Sequence, residues 1–154
     1  MNNTKYDFII VGSGAAGAAS AWRLCQSGYK VACLERGKNL VPAEYPSTKS
    51  NWELLKQADF NPVISSRQNE SDYPVDDSSS PIAVCNYNAV GGSTILYSAH
   101  FPRFQPQDFK MKTADGLYED WPISYDDLKP YFELNESEMS VSGLVGDPMY
   151  PDIE

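Results

Sequence analysis

The residues best suited to chemistry stand close to the N-terminus. Gly12-Ser13-Gly14-Ala15-Ala16-Gly17 has the GxGxxG spacing, and Glu35 follows Gly17 by 18 residues. A glycine turn that ends a strand and opens a helix offers free backbone N–H groups and the positive end of the helix to a pyrophosphate. Gly12 allows the tight turn, Gly14 lets the diphosphate approach the backbone, and Gly17 permits close packing of helix on strand. Ser13 and Ala16 belong to the same turn and are expected at the cofactor. Glu35, at the end of the next strand, can accept hydrogen bonds from two ribose hydroxyls. That favours an adenosine ribose without a 2′-phosphate, which the carboxylate would repel. The neighbouring Arg36 could pair with phosphate, although a loop arginine is usually solvated. A second cluster, Gly91-Gly92-Ser93-Thr94, combines close backbone approach with two hydroxyls able to donate to phosphate or ring acceptors.

Other reactive side chains point to less. His100 is the sole histidine, so no metal cluster has imidazole ligands to share, and it reads as a structural or cavity-lining residue. No metal is expected. Arg103, another loop arginine, could likewise pair with phosphate but is expected in solvent. Asp126-Asp127 reads as a helix-start feature and not a catalytic pair. Trp52, Trp121 and the tyrosines read as core and interface packing. Cys25, Cys33 and Cys85 form neither a CxxC pair nor an even framework, which fits reduced thiols in a reducing compartment.

The elements that must position these residues follow from pattern. Tyr6 to Val11 is a β-branched and aromatic run that predicts a strand buried on both faces. Ala15 to Ser27, alanine-rich and closed by Gly28, predicts a helix, and Val31 to Leu34 a second strand. Residues 5–37 therefore form one right-handed βαβ dinucleotide unit. Residues 38–80 are a loop-rich excursion with a weak helical stretch at Trp52 to Ala58. Order returns at Ile82-Ala83-Val84-Cys85, and residues 81–104 hold the second glycine turn. In residues 105–154, Ser124 and Asp127 form a weaker capping box opening a helix whose apolar face carries Leu128, Tyr131, Phe132 and Met139. Pro130 interrupts that pattern, so either a first turn stands apart or the helix starts near the proline. The fold class is α/β, with a Rossmann-like nucleotide-binding unit. Two parallel strands seldom make a finished sheet and Tyr150 to Glu154 supplies no further one, so the chain is expected to be the N-terminal piece of a larger domain.

Composition narrows the partners. With 42% hydrophobic residues the chain can bury a core. A net charge of −9 without a Lys/Arg cluster argues against nucleic acid. The run Phe8 to Val11 is not a signal peptide, because its leader lacks net positive charge and Gly12, Gly14 and Gly17 weaken an apolar helix. No stretch approaches a bilayer span. The expected location is cytoplasmic, or membrane-peripheral or periplasmic through a partner subunit.

The βαβ unit alone does not separate NAD from FAD, and a pyridine-nucleotide dehydrogenase or a non-catalytic nucleotide-binding module remain alternatives. Three segments carry a resemblance to the glucose-methanol-choline oxidoreductases. They are Asp7 to Gly17 with Glu35-Arg36-Gly37, Asn88-Ala89-Val90-Gly91-Gly92-Ser93-Thr94, and Asp120 to Tyr131, the last similar to the sugar, gluconate and fructose dehydrogenase branch. The resemblance implies an FAD enzyme that takes hydride from an alcohol or sugar CH–OH group, with a histidine base C-terminal to this chain and a cytochrome or small subunit as electron acceptor in some members. It places the second motif against flavin and pyrophosphate. This chain departs from the family at Tyr87, Asn88 and Tyr97. Leu96 stands where members with covalent flavin carry the attaching histidine, which implies dissociable FAD.

Overall fold

A computed structural model describes residues 4–67, 72, 74–148 and 151. The chain divides into two units, Met1–Ser98 and Ala99–Glu154. In the first, the β-branched run Phe8–Val11 forms β1, the alanine-rich segment Ala15–Gln26 forms α1, and Val31–Leu34 forms β2. The strands pair in parallel, Phe8 opposite Val31 and Val11 opposite Leu34. α1 ends at Ser27, and Gly28 leaves the helix at φ +86° as its C-terminal glycine. The strand–helix–strand order is the one that spacing predicts.

Two features of the sheet differ from expectation. β1 begins at Phe8 and not Tyr6, because Asp7 is used in a turn contact, its carboxylate accepting from the Lys30 N–H at 2.8 Å. Nor is β1 buried on both faces: Ile9 is 66% and Val11 83% exposed. α1 covers the face of Ile10, whose Cγ2 lies 3.4 Å from where a Gly17 Cβ would stand. The face bearing Ile9 and Val11 stays open.

The core of this unit comes from the excursion and the second glycine segment. Leu40, Phe60, Tyr87 and Ala89 are buried together, with Tyr45, Ile95 and Leu96 packed against them. The Phe60 and Tyr87 rings stack at 5.4 Å. Short elements carry the excursion: 3-10 turns at Pro42–Glu44 and Pro46–Thr48, α2 (Trp52–Gln57) and α3 (Ile64–Arg67). Arg67 is buried. Its guanidinium binds Asp72 through Nε and Nη2 at 2.8 and 3.0 Å, donates to the Asn86 carbonyl at 2.8 Å, and lies over Tyr87. A buried guanidinium holds its place only when paired in this way. Ile82 to Cys85 forms no strand. Only Cys85 pairs, in a bridge with Val63, and Ile82 is exposed. Trp52 is also exposed, carrying Lys56 over its ring, so it is not part of this core.

In the second unit, a 3-10 turn at Pro106–Lys110 runs into α4 (Met111–Asp115), and α5 spans Tyr125–Met139. The capping box is formed: Ser124 Oγ accepts from the Asp127 N–H and the Asp127 carboxylate accepts from the Ser124 N–H at 2.8 Å. Pro130 lies inside a continuous α5. The N–H it lacks would have met the carbonyl of Asp126, an exposed residue of the first turn where water serves. The buried face of α5 is Tyr125 and Glu136 with Leu128 and Phe132 half-buried, whereas Tyr131 and Met139 face solvent.

Glu136 is buried because Arg103 meets it. Arg103, expected in solvent, is 7% exposed, donates through Nε to Glu136 Oε1 at 2.7 Å and through Nη1 to the Tyr125 hydroxyl at 3.0 Å. The bidentate pair raises the arginine and lowers the glutamate from their ordinary titration ranges. Phe109 packs edge-on to Phe104, Trp121 and Tyr125, although Trp121 itself remains 59% exposed. His100 is exposed. Apart from Pro151, the closing stretch Tyr150 to Glu154 lies outside the described residues. Among the described residues no helix is long and apolar enough to cross a membrane.

Candidate functional site: a groove between two glycine turns

The first turn leaves β1 at Gly12, which takes φ +92° and donates its N–H to the Leu34 carbonyl at 2.7 Å. This positive φ demands glycine. Gly14 caps α1 without a side-chain cap, and no acidic residue occupies the first helical turn. The N–H groups there stay open to an anion. A Cβ on Gly14 would meet nothing within 4 Å, so the space above it is open, whereas one on Gly17 would lie 2.0 Å from the Gly12 carbonyl oxygen. The geometry gives the three glycines a turn, an open space and a tight packing contact respectively.

Glu35, just past β2, binds back onto this turn. Its Oε2 accepts from the Ser13 N–H at 2.7 Å and the Ser13 hydroxyl at 2.8 Å, and Oε1 accepts from the Gly37 N–H at 2.7 Å. Hydrogen bonds to the charged form hold the carboxyl down to about 2, with the Gly37 N–H the largest influence and the two Ser13 donors next. An ionised carboxylate has about four acceptor sites. The Ser13 N–H, the Ser13 hydroxyl and the Gly37 N–H occupy three of them.

The second turn is brought alongside by the parallel bridge between Lys38 and Ala89, with the Val90 N–H bonded to the Lys38 carbonyl at 3.0 Å. Gly91 and Gly92 take φ +93° and +58°, and a 3-10 turn follows over Gly92–Ile95. A Gly92 Cβ would stand 3.4 Å from Gly14 Cα, so the two glycine turns touch. Ser93 Oγ donates to Asn86 Oδ1 at 2.7 Å, and Thr94 Oγ1 donates to the Gly91 carbonyl at 2.6 Å. Each hydroxyl has one proton to give. In this structure both are spent on shaping the turn.

Between the turns runs an open groove of about 560 Å³, walled by Gly12, Gly14, Glu35, Arg36, Gly92, Ser93 and Thr94, with Val11, Leu34, Asn86 and Tyr87. This volume lies in the range of cofactor sites. Ser13 and Gly91 join the turns outside its lining, Ala16 is exposed on α1, and Gly17 packs behind the turn. Arg36 is exposed at the groove with its Nη2 on the Asp72 carbonyl at 3.2 Å. Sequence reasoning missed Gly37, Asn86 and Tyr87 as site residues. Gly37 had a legible cue, a glycine two residues beyond the acid. A Cβ there would fall 2.3 Å from Ala89 Cα and N, so only glycine lets the two segments meet.

These features define a Rossmann-like dinucleotide-binding unit: parallel strands, an uncapped helix start and an acidic strand end facing a groove. Comparison with known proteins agrees, since residues 10–41 match the family model described as an NAD(P)-binding Rossmann-like domain. The chain is 43% identical over 148 residues to 2-methyl-1,2-propanediol dehydrogenase of Mycolicibacterium austroafricanum, covering 95% of this chain and 26% of that protein. It is 27% identical over 168 residues to the fructose dehydrogenase large subunit of Gluconobacter japonicus, covering 94% and 29%. To glucose dehydrogenase [FAD, quinone] of Drosophila melanogaster it is 29% identical over 142 residues, covering 89% and 21%. Over nearly its whole length the chain is homologous to oxidoreductases of the glucose-methanol-choline type. It spans about a quarter of the length of the curated relatives it matches.

Proposed function

We propose that this chain forms the adenine-nucleotide side of an FAD site in an oxidoreductase that removes hydride from a CH–OH group of an alcohol or sugar. The observation that carries the reading is the groove bounded by two touching glycine turns with Glu35 at its edge. An NAD enzyme would need the first turn; the second, built to bring backbone to backbone at Gly92 and Gly14, adds a wall suited to a larger cofactor. The FAD-named relative, similar along nearly the whole chain, supports the same choice.

Bound flavin would supply the two-electron acceptor. The chain's own residues bind and orient. The first-turn N–H groups of α1 and the open space over Gly14 suit a pyrophosphate, and Glu35 suits ribose hydroxyls. Gly91 to Thr94 forms the opposite wall. We assign no proton transfer to any residue of this chain, and place the catalytic base in the remainder of the protein. The flavin is held without a covalent bond, because Leu96 stands at the attachment position of the family and packs against the Leu40, Phe60 and Tyr87 core. A relative named as a large subunit supports an electron-accepting partner subunit.

The test is to purify the full-length protein, record its flavin absorbance, precipitate it with acid, and assay dye reduction with a panel of alcohols and sugars. Yellow supernatant and turnover are expected. A colourless protein that reduces NAD would overturn the cofactor, and flavin fluorescence remaining with the denatured polypeptide would overturn the non-covalent attachment.

A further inference from the structure

We infer that Ser13 is a positioning residue that couples the two glycine turns into one cofactor cradle, through a hydroxyl that bridges Glu35 and the Gly91 backbone. The inference rests on the dinucleotide reading of the groove.

A serine hydroxyl has one proton to give and lone pairs to receive. Ser13 uses both functions: Oγ donates to Glu35 Oε2 at 2.8 Å and accepts from the Gly91 N–H at 3.0 Å. The same carboxylate oxygen also takes the Ser13 N–H at 2.7 Å. A chain of hydrogen bonds therefore runs from the end of β2 through the first turn into the second. One end is an ionised carboxylate, which polarises the hydroxyl and makes it a better acceptor for the Gly91 amide. The three residues are partly buried, so the bridge is only partly open to competing water.

The bridge matters because the two turns lie side by side. Gly92 and Gly14 approach so closely that a Cβ on the former would be at van der Waals contact with the latter's Cα. Gly91, at φ +93°, is the residue at which the second turn reverses direction. Fixing its N–H on Ser13 fixes where Gly92 to Thr94, and so the second wall of the groove, stands relative to Gly14. Ser93 and Thr94 bond within their own segment. The tie between turns that these side chains do not make is made by Ser13.

Alanine at position 13 keeps the backbone bond to Glu35 and removes the bridge. The decisive experiment compares wild type, Ser13→Ala and Ser13→Thr in the full-length flavoprotein. The readouts are the FAD dissociation constant of deflavinated protein and hydrogen exchange of the segment containing the Gly91 amide. Ser13→Ala is expected to weaken FAD binding about tenfold and to speed exchange at Gly91, with exchange at Gly28, whose N–H bonds Cys25 within the α1 terminus, unchanged. Ser13→Thr, which keeps the hydroxyl, should restore both. If Ser13→Ala does not fold, Ser13→Cys, nearly isosteric but a weak donor, is expected to shift both readouts in the same direction. Wild-type affinity and wild-type Gly91 exchange in a folded Ser13→Ala or Ser13→Cys protein would overturn the positioning role alone. A wild-type protein that binds no FAD would overturn the reading of the groove itself, and the positioning role with it.

Discussion

Alanine substitution at Gly14 and at Gly17 should separate what the first turn does for the cofactor from what it does for the fold. A Cβ on Gly17 would sit 2.0 Å from the Gly12 carbonyl oxygen and 3.1 Å from its carbon. Carbon and oxygen ordinarily approach to about 3.3–3.6 Å, so α1 and the turn must part by more than 1 Å, roughly. Neither contacting atom belongs to a flexible side chain. Overpacking of this kind costs about 1–3 kcal/mol, and the displaced Gly12 also loosens the N–H bond to Leu34. Gly14 is the opposite case. Its backbone, at φ −64° and ψ −175°, suits alanine, and the added methyl meets nothing. The only expected loss of stability is the preference of a helix start for glycine over alanine, about 1 kcal/mol. That methyl, however, occupies the space through which a pyrophosphate would reach the helix N-terminus, and FAD affinity should fall at least about tenfold. Thermal melts of the deflavinated full-length protein and FAD titration measure the two effects. Gly17→Ala should lower Tm by several degrees or more, roughly, while Gly14→Ala should melt closer to wild type than Gly17→Ala does and bind poorly. A Gly14→Ala protein with wild-type affinity would refute the placement of the diphosphate, and an undisturbed melt for Gly17→Ala would refute the packing argument.

Other perturbations follow from the same structure. Glu35, held at about 2 against an ordinary 4.5, contributes stability in full above pH 4.5 and loses it as pH falls toward 2. The stability gap between wild type and Glu35→Gln should therefore narrow on acidification through that window, and a gap constant down to about pH 2 in urea titrations would show that the carboxylate is not the source. Glu35→Gln should also weaken FAD binding about tenfold to a hundredfold, read by fluorescence titration. Arg103→Met strands Glu136 in the interior of its unit and should destabilise it by about 3–5 kcal/mol, with Glu136→Gln in the same background recovering much of the loss in chemical denaturation. Residues 1–154 produced alone should bind a hydrophobic dye and aggregate, because Ile9, Val11 and Leu34 are exposed on the sheet; a cooperative melt without dye binding would contradict this.

The βαβ unit was legible because its information is local. Glycine spacing, an alanine-rich helix and an acid at the strand end lie within about thirty residues, and each has a single physical use. The second turn was legible as a glycine turn but not in its hydroxyl directions. Ser93 and Thr94 look available for phosphate until Asn86 and the Gly91 carbonyl are seen to take their protons. Arg103 reads as a solvated loop residue because its carboxylate partner, Glu136, has no fixed spacing from it. Burial of such a pair is decided by the whole unit. The strand run of β1 announced extended structure correctly, yet hydrophobicity states a need for cover and not its presence, and the Ile9 face has none among the described residues.

The link between Ser13 and Gly91 has a consequence for the order in which the molecule assembles. Ser13 and Glu35 are separated by 22 residues, Ser13 and Gly91 by 78. On the loop-closure relation, the longer connection is less favourable by about 1 kcal/mol, and it forms only once the intervening excursion has collapsed around Phe60 and Tyr87. The βαβ unit can therefore complete its nucleotide-facing turn early, while the opposite wall arrives with the slower, non-local contacts. A dinucleotide that touches both walls would act as a brace across this long closure, so the rate of cofactor uptake during refolding would report on the excursion core rather than on the glycine turn that contacts the phosphates.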